Sequence, residues 1–229
     1  MSPVATPVRE LRFAASRSAG EVSALLVRPE DARALYVLAH GAGAGMRHPF
    51  MDAIATRLAA RGVATFRYQF PYVERGQKRI DPQPILLATV RAAVAAAAEA
   101  APGLPAIAGG KSMGGRMTSL AAAAEPLEGV RGLAFLGFPL HPAGKPSTDR
   151  AEHLARVTVP MLFLQGTRDA LADLVLLRPI VAGLGPRARM VEQADADHGF
   201  HVPKRSGRTD DEMLDALAAE IAEWAPRPS

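Results

Sequence analysis

Residues 106–117 read AIAGGKSMGGRM, and the fold is decided there. Positions 106–110 are small or apolar and suit a short buried strand, whereas 113–124 carry a helical pattern. Between them, Gly110-Lys111-Ser112-Met113-Gly114 matches G-x-S-x-G, with the serine at a sharp strand-to-helix turn. The glycines have a steric reason. A serine at such a turn sits in a strained backbone conformation, and flanking side chains would collide with neighbouring elements. The motif alone recurs by chance, so its weight comes from the strand–turn–helix setting. A P-loop reading of Gly-Lys-Ser fails, because it needs a glycine at position 105, where proline stands.

Working outward, β-rich runs alternate with helical patterns. Strands are predicted at 11–15, 22–28, 34–39, 63–68, 106–110, 132–138, 159–165 and 188–193, the first two forming a pair around a turn at 18–21. Helices are predicted at 49–60, 84–101, 113–124, 149–156, 172–184 and 210–224, with 69–82 a polar loop and 225–229 a frayed tail. Repeated βα units of this length imply a mostly parallel sheet covered by helices on both faces. The expected fold is α/β: a three-layer α/β/α sandwich with a mostly parallel twisted sheet and an N-terminal antiparallel strand pair. At 229 residues, one domain over 1–229 is expected.

Composition narrows the function classes. No cysteine is present, which excludes structural disulfides, thiolate catalysis and Cys-based metal sites, and fits a reducing cytoplasm. The net charge is +4, but the 27 basic residues are interspersed with 23 acids in no long run, so nucleic acid is not an expected partner. The N-terminal residues lack the apolar core of a signal peptide. The Ala-rich stretch at 91–102 is interrupted by Arg91 and Glu99, so no membrane span is expected and the protein reads as soluble and cytoplasmic. Gly41-x-Gly43-x-Gly45 follows a strand, but Met46 stands where a dinucleotide fingerprint needs its last glycine.

A serine nucleophile needs a base, and the base needs an orienting acid. The strand near 161–165 runs into Gly166-Thr167-Arg168-Asp169, and the strand near 190–193 is followed by Asp195-Ala196-Asp197-His198. Both lie past C-terminal strand ends, the ligand-binding edge of parallel α/β sheets. Ser112, Asp169 and His198 are therefore the candidate triad. Each has a plainer reading: Asp169 as the N-cap of a helix near Leu171, His198 as a surface histidine, Ser112 as a helix N-cap. Asp173 and His201 compete as acid and base, Asp173 from inside a helix. Two backbone donors should face the developing oxyanion: Met113, which follows the nucleophile, and Ala42 in the loop 40–45, with Gly43 as the alternative. His40 is expected to brace that loop. Lids over an open site are expected from 69–82 and 139–148, with Gly43, Phe70, Tyr72 and His141 as candidate substrate contacts beside a basic rim of Arg75, Lys78, Arg79 and Lys145 that favours small or anionic acyl groups, or is merely a solvated basic loop.

On these residues the sequence resembles the α/β-hydrolase superfamily, dienelactone-hydrolase-like in its small size, along nearly the whole chain. More narrowly it is similar to a family of testis-expressed hydrolase-like proteins and the hydrolase-like domain of a histone-acetyltransferase-complex subunit. The matching stretches are LAHGAGAGMRHPFM at 38–51, GGKSMGGRM at 109–117, GFPLHPAGKP at 137–146 and GTRD at 166–169. The resemblance implies a compact three-layer domain and, by position, the same triad. The spacing between Ser112 and Asp169 leaves no room for a large cap domain.

The expected function is serine hydrolysis of a small-molecule ester or thioester through an acyl-enzyme, with no cofactor and no metal. Two alternatives stay open: a non-catalytic protein-binding module on a hydrolase fold, and a small serine peptidase. The acyl and leaving groups, and the oligomeric state, are not legible.

Overall fold

The computed structural model describes residues 6–16 and 19–226. Eight strands form one sheet: β1 (Val8–Ser16), β2 (Gly20–Val27), β3 (Ala34–Ala39), β4 (Val63–Tyr68), β5 (Ala106–Lys111), β6 (Val130–Leu136), β7 (Met161–Gly166) and β8 (Ala188–Gln193). Their order across the sheet is β1-β2-β4-β3-β5-β6-β7-β8. The strand β2 is antiparallel to both β1 and β4, and all other pairings are parallel. The expected N-terminal pair is present; of its predicted turn, Ser18 lies outside the described residues, as do 227–229 of the tail.

The central strands read as continuous apolar runs because both of their faces are covered. In β3 (ALYVLA) successive side chains alternate between two cores. Leu35 and Val37 join Phe66, Phe135 and Phe163 on one face, whereas Tyr36 and Leu38 join Leu136 and Leu164 on the other. Helices α3 (Gln83–Ala100), α4 (Met113–Ala124) and α5 (Leu174–Gly183) cover the first face; α1 (Pro49–Ala59) and α6 (Asp210–Trp224) cover the second. A proline in the first turn opens α1, and the Thr209–Glu212 capping box opens α6.

Two segments differ from the sequence reading. Within 69–82, Pro71–Glu74 forms a one-turn helix, α2, started by its proline; Glu74 accepts from the backbone and hydroxyl of Ser23 at 3.0 and 2.8 Å. The predicted helix at 149–156 is a 3₁₀ helix. Ala151 and Leu154, one 3₁₀ period apart, are buried in the core with Val157 just past the segment's end, while the buried His153 turns to Ser119 on α4.

Sheet order also locates the site. From β3 the chain turns to β4 on one side, and it later returns to β5 on the other. The loops leaving β3 and β5 therefore diverge at the sheet's C-terminal edge and open a crevice between them.

Candidate active site

Ser112 lies between β5 and α4 with φ 50° and ψ −118°, a region L-residues enter only under strain. Close approach of neighbouring backbone holds it there. A Cβ on Gly110 would come 2.1 Å from the Ala39 carbonyl oxygen, and one on Gly114 would come 2.6 Å from those of Ala39 and His40. Only glycine lets β5 and α4 lie this near β3.

His198 is carried by the loop after β8. Its Nε2 is 2.8 Å from Ser112 Oγ, and its Nδ1 is 2.7 Å from Asp169 Oδ2. Asp169, on the turn after β7, also accepts from Gln165 Nε2 at 2.6 Å and from the Leu171 amide at 2.8 Å. Its carboxylate is fully buried, and these three donors offset the desolvation. The His198 loop is itself strained, with Asp195 at φ 59° and Phe200 at φ 65°. Asp197 closes it by accepting from the amides of Gly199 and His201 at 2.7 and 3.0 Å.

The structure thus brings Ser112, His198 and Asp169 together. It separates the competitors. Asp173 is exposed and is the N-cap of α5, where sequence reading put it inside the helix; its carboxylate accepts from the Val175 amide at 2.8 Å. His201 is exposed and pairs with Asp210 at 2.8 Å, a contact that raises its pKa.

In the loop after β3, His40 Nε2 accepts from the Phe70 amide at 3.1 Å, which leaves Nδ1 to donate to the Gly41 carbonyl at 2.7 Å. Burial lowers the His40 pKa to about 4, so the ring is a neutral brace. Gly43 N–H donates to Tyr72 Oη at 3.0 Å and Ala44 N–H to the Gly41 carbonyl at 3.2 Å. Between Gly41 and Gly43, the Ala42 amide has no partner among the described residues. Met113, the first residue of α4, has no helical acceptor for its own amide.

Four candidate contacts need correction. Gly43 has its amide committed to Tyr72, so it is not the alternative oxyanion donor. Phe70 and Tyr72 are fully buried behind the loop, with the Phe70 ring edge-on to His40 at 5.0 Å, because their apolar rings fill the core under α2. His141 is buried too: its Nε2 accepts from the Asp173 amide at 2.9 Å and its backbone amide donates to Leu171 at 3.0 Å, tying two loops together. None of these four lines either cavity beside Ser112.

Two cavities meet at the serine, and Ala42, Ser112 and Leu171 line both. One, of about 350 Å³, is walled by Phe50, Met51, Lys111 and His198. The other, of about 390 Å³, is walled by Ile80, Leu86, Met113, Met117, Arg116 and Arg150. This arrangement sets a hydroxyl hydrogen-bonded to an imidazole beside two amides with no partner among the described residues, open on two sides.

A family model for the alpha/beta hydrolase domain matches residues 32–226. The chain belongs to this family. Solved structures agree on the fold of this α/β hydrolase. A lidless α/β serine hydrolase from Xanthomonas campestris superposes with a TM-score of 0.74 at 21% identity, covering 98% of each chain. The dienelactone hydrolase from Anabaena variabilis gives 0.72 at 22% identity over 95% of this chain and 96% of its own. A serine hydrolase homologue from Coxiella burnetii gives 0.73 at 19%, over 96% and 100%.

Three features of the α/β hydrolase were not foreseen from sequence. Gln165 is the one polar side chain in MLFLQG, which was its only sequence signal. Lys111 donates from Nζ to the His198 carbonyl at 2.6 Å and lies over the Phe50 and Phe200 rings; burial lowers its pKa to about 8 against the pull of Asp169 and Asp197. A second serine–histidine pair joins Ser119 Oγ and His153 Nε2 at 2.7 Å. No carboxylate contacts His153 among the described residues. Burial, then Arg116 and Arg156, lower its pKa to about 4. This pair clamps the 3₁₀ segment onto α4 and has no means of forming a triad. Among the described residues, no group of His, Asp and Glu is placed to hold a metal, and no helix is long and apolar enough to cross a membrane.

Proposed function

We propose that the protein is a serine hydrolase of small carboxylic esters or thioesters, acting through an acyl-enzyme. The observation that carries this is the continuous chain from Ser112 Oγ through His198 to Asp169, at 2.8 and 2.7 Å, on a strained elbow. Serine hydrolase and esterase structures with the same fold support it.

In this reading Ser112 Oγ attacks the acyl carbonyl carbon while His198 Nε2 takes its proton. The resulting oxyanion is held by the Met113 and Ala42 amides, a donor of this kind contributing about 3 kcal/mol. The intermediate collapses, and the departing alcohol or thiol takes the proton from His198. Water then attacks the acyl carbon and gives its proton to His198, which returns it to Ser112 Oγ as the acid leaves. Asp169 accepts from Nδ1 throughout and holds the tautomer. No cofactor enters these steps. The narrower likeness to the testis-expressed family adds no substrate to this proposal.

The test is intact-mass detection of a fluorophosphonate adduct on wild type and on Ser112→Ala. One adduct per chain, lost in the variant, is expected. A folded wild type that stays unlabelled would overturn the reading in favour of a binding module.

A further inference from the structure

Among the described residues, Arg116 stands apart from the other arginines whose guanidinium has a nitrogen closed off from solvent. Arg57, Arg67, Arg75, Arg91, Arg178 and Arg189 each meet a carboxylate. Arg116 meets none, and its Nε is shut away from solvent with no hydrogen-bond partner. Arg33, Arg57 and Arg67 also have an orphaned nitrogen, but each bonds through another nitrogen of the same guanidinium. Among the described residues no nitrogen of Arg116 does. Desolvation and the neighbouring Arg150 both press its pKa below the ordinary value. Arg150 is likewise without an acidic partner among the described residues. A partly buried, unpaired cation facing a second cation is costly, and an anion between them would relieve both terms.

The two arginines are held in place. Arg116 is on α4 one turn beyond Ser112, about 6 Å along the axis. Arg150 is on the 3₁₀ segment, which the Ser119–His153 bond clamps to the same helix. Both line the second cavity, where Ile80, Leu86 and Met117 supply apolar wall. Asp81 lines it as well, with one oxygen paired to Arg75 at 2.5 Å and the other without a partner. The Arg75 pairing takes up its charge, so the cavity stays cationic.

Proton delivery decides which end of the substrate lies there. His198 must protonate the leaving group, and His198 lines only the first cavity. The leaving group therefore occupies the side of Phe50 and Lys111, and the acyl chain the side of Arg116. We propose that Arg116 and Arg150 bind a carboxylate at the far end of the acyl chain, making the substrates hemiesters or hemithioesters of short dicarboxylic acids. This rests on the acyl-transfer reading above.

The test compares wild type, Arg116→Gln and Arg150→Gln on monoethyl glutarate and on ethyl pentanoate, with acid release followed at constant pH. Calorimetric titrations with glutarate, pentanoate and inorganic phosphate run alongside. The expected result is a wild-type preference for the hemiester in kcat/KM that falls on the order of tenfold in each variant, the scale of a charge-assisted hydrogen bond. Glutarate binding should weaken in parallel. A preference ratio unchanged in both variants overturns the proposal, even if both esters are hydrolysed and the hydrolase reading stands. Arg116-dependent glutarate binding without turnover of either ester supports the anion site and counts against the hydrolase reading. Phosphate held as tightly as glutarate overturns the dicarboxylate assignment, and so does the absence of glutarate binding.

Discussion

Gln165 donates its side-chain amide to Asp169 Oδ2 at 2.6 Å, the same oxygen that faces His198 Nδ1. At its other end, Gln165 Oε1 accepts from the Phe138 amide at 2.9 Å. One buried amide thus ties the orientation of the acid to the loop leaving β6. Replacing Gln165 by Leu strands the Phe138 amide and removes a donor from a buried carboxylate, at about 1–3 kcal/mol. We expect kcat for ester hydrolysis to fall on the order of tenfold, with a lower urea midpoint. Unchanged kcat in a folded variant would remove Gln165 from the positioning of Asp169.

Backbone strain at Ser112 makes a separate prediction. Ser112→Gly relieves the left-handed conformation and should stabilise the fold by about 1 kcal/mol while abolishing turnover. Ser112→Ala also abolishes turnover but keeps the Cβ, and should gain less. Urea denaturation of the three proteins ranks them; a less stable glycine variant would contradict the strain assignment.

Two glycines should behave differently. Gly114→Ala drives a Cβ to 2.6 Å from two backbone oxygens and is expected to cost at least about 3 kcal/mol, seen as a collapse in soluble yield. At Gly43 the added Cβ would meet nothing, and only φ 71° opposes it, so Gly43→Ala should cost about 1 kcal/mol. Equal losses would mean that steric contact is not what requires glycine at 114.

Acid should destabilise the protein through His40 and His153, whose pKa values burial lowers to about 4. Between about pH 4 and 6.5 the unfolded chain binds protons that the folded one does not. Stability therefore rises with pH across this window and is lost as pH falls through it. Each histidine contributes at most about 1.4 kcal/mol per pH unit. Urea titrations at stepped pH should show the slope, and His153→Phe should flatten it by one histidine's share.

Much of the site was legible because its residues are tied to chain order. G-x-S-x-G between strand and helix, then an acid and a histidine past later strand ends, fixed Ser112, Asp169 and His198 as candidates before any geometry was known. Strands were legible because both sheet faces are apolar, as in ALYVLA. What sequence position does not carry is the direction in which a loop side chain points. Phe70 and Tyr72 follow a strand end as a substrate contact would, yet they face inward and hold His40 and Gly43. The cationic wall was sought at Arg75, Lys78 and Arg79, whereas it arises from Arg116 and Arg150, far apart in sequence and joined by a buried Ser–His contact. The 3₁₀ segment was misread because a period of three and one of 3.6 diverge little over eight residues.

Ser112 follows β5, flanked by β3 and β6, whereas His198 follows β8, which pairs with β7 alone. An outermost strand held along one side separates more readily than an inner one. Ser112 and His198 are therefore anchored to regions of unequal cohesion. Local opening at β8 withdraws the histidine while the serine's turn persists, so under mild denaturant catalysis should fade before the sheet as a whole gives way.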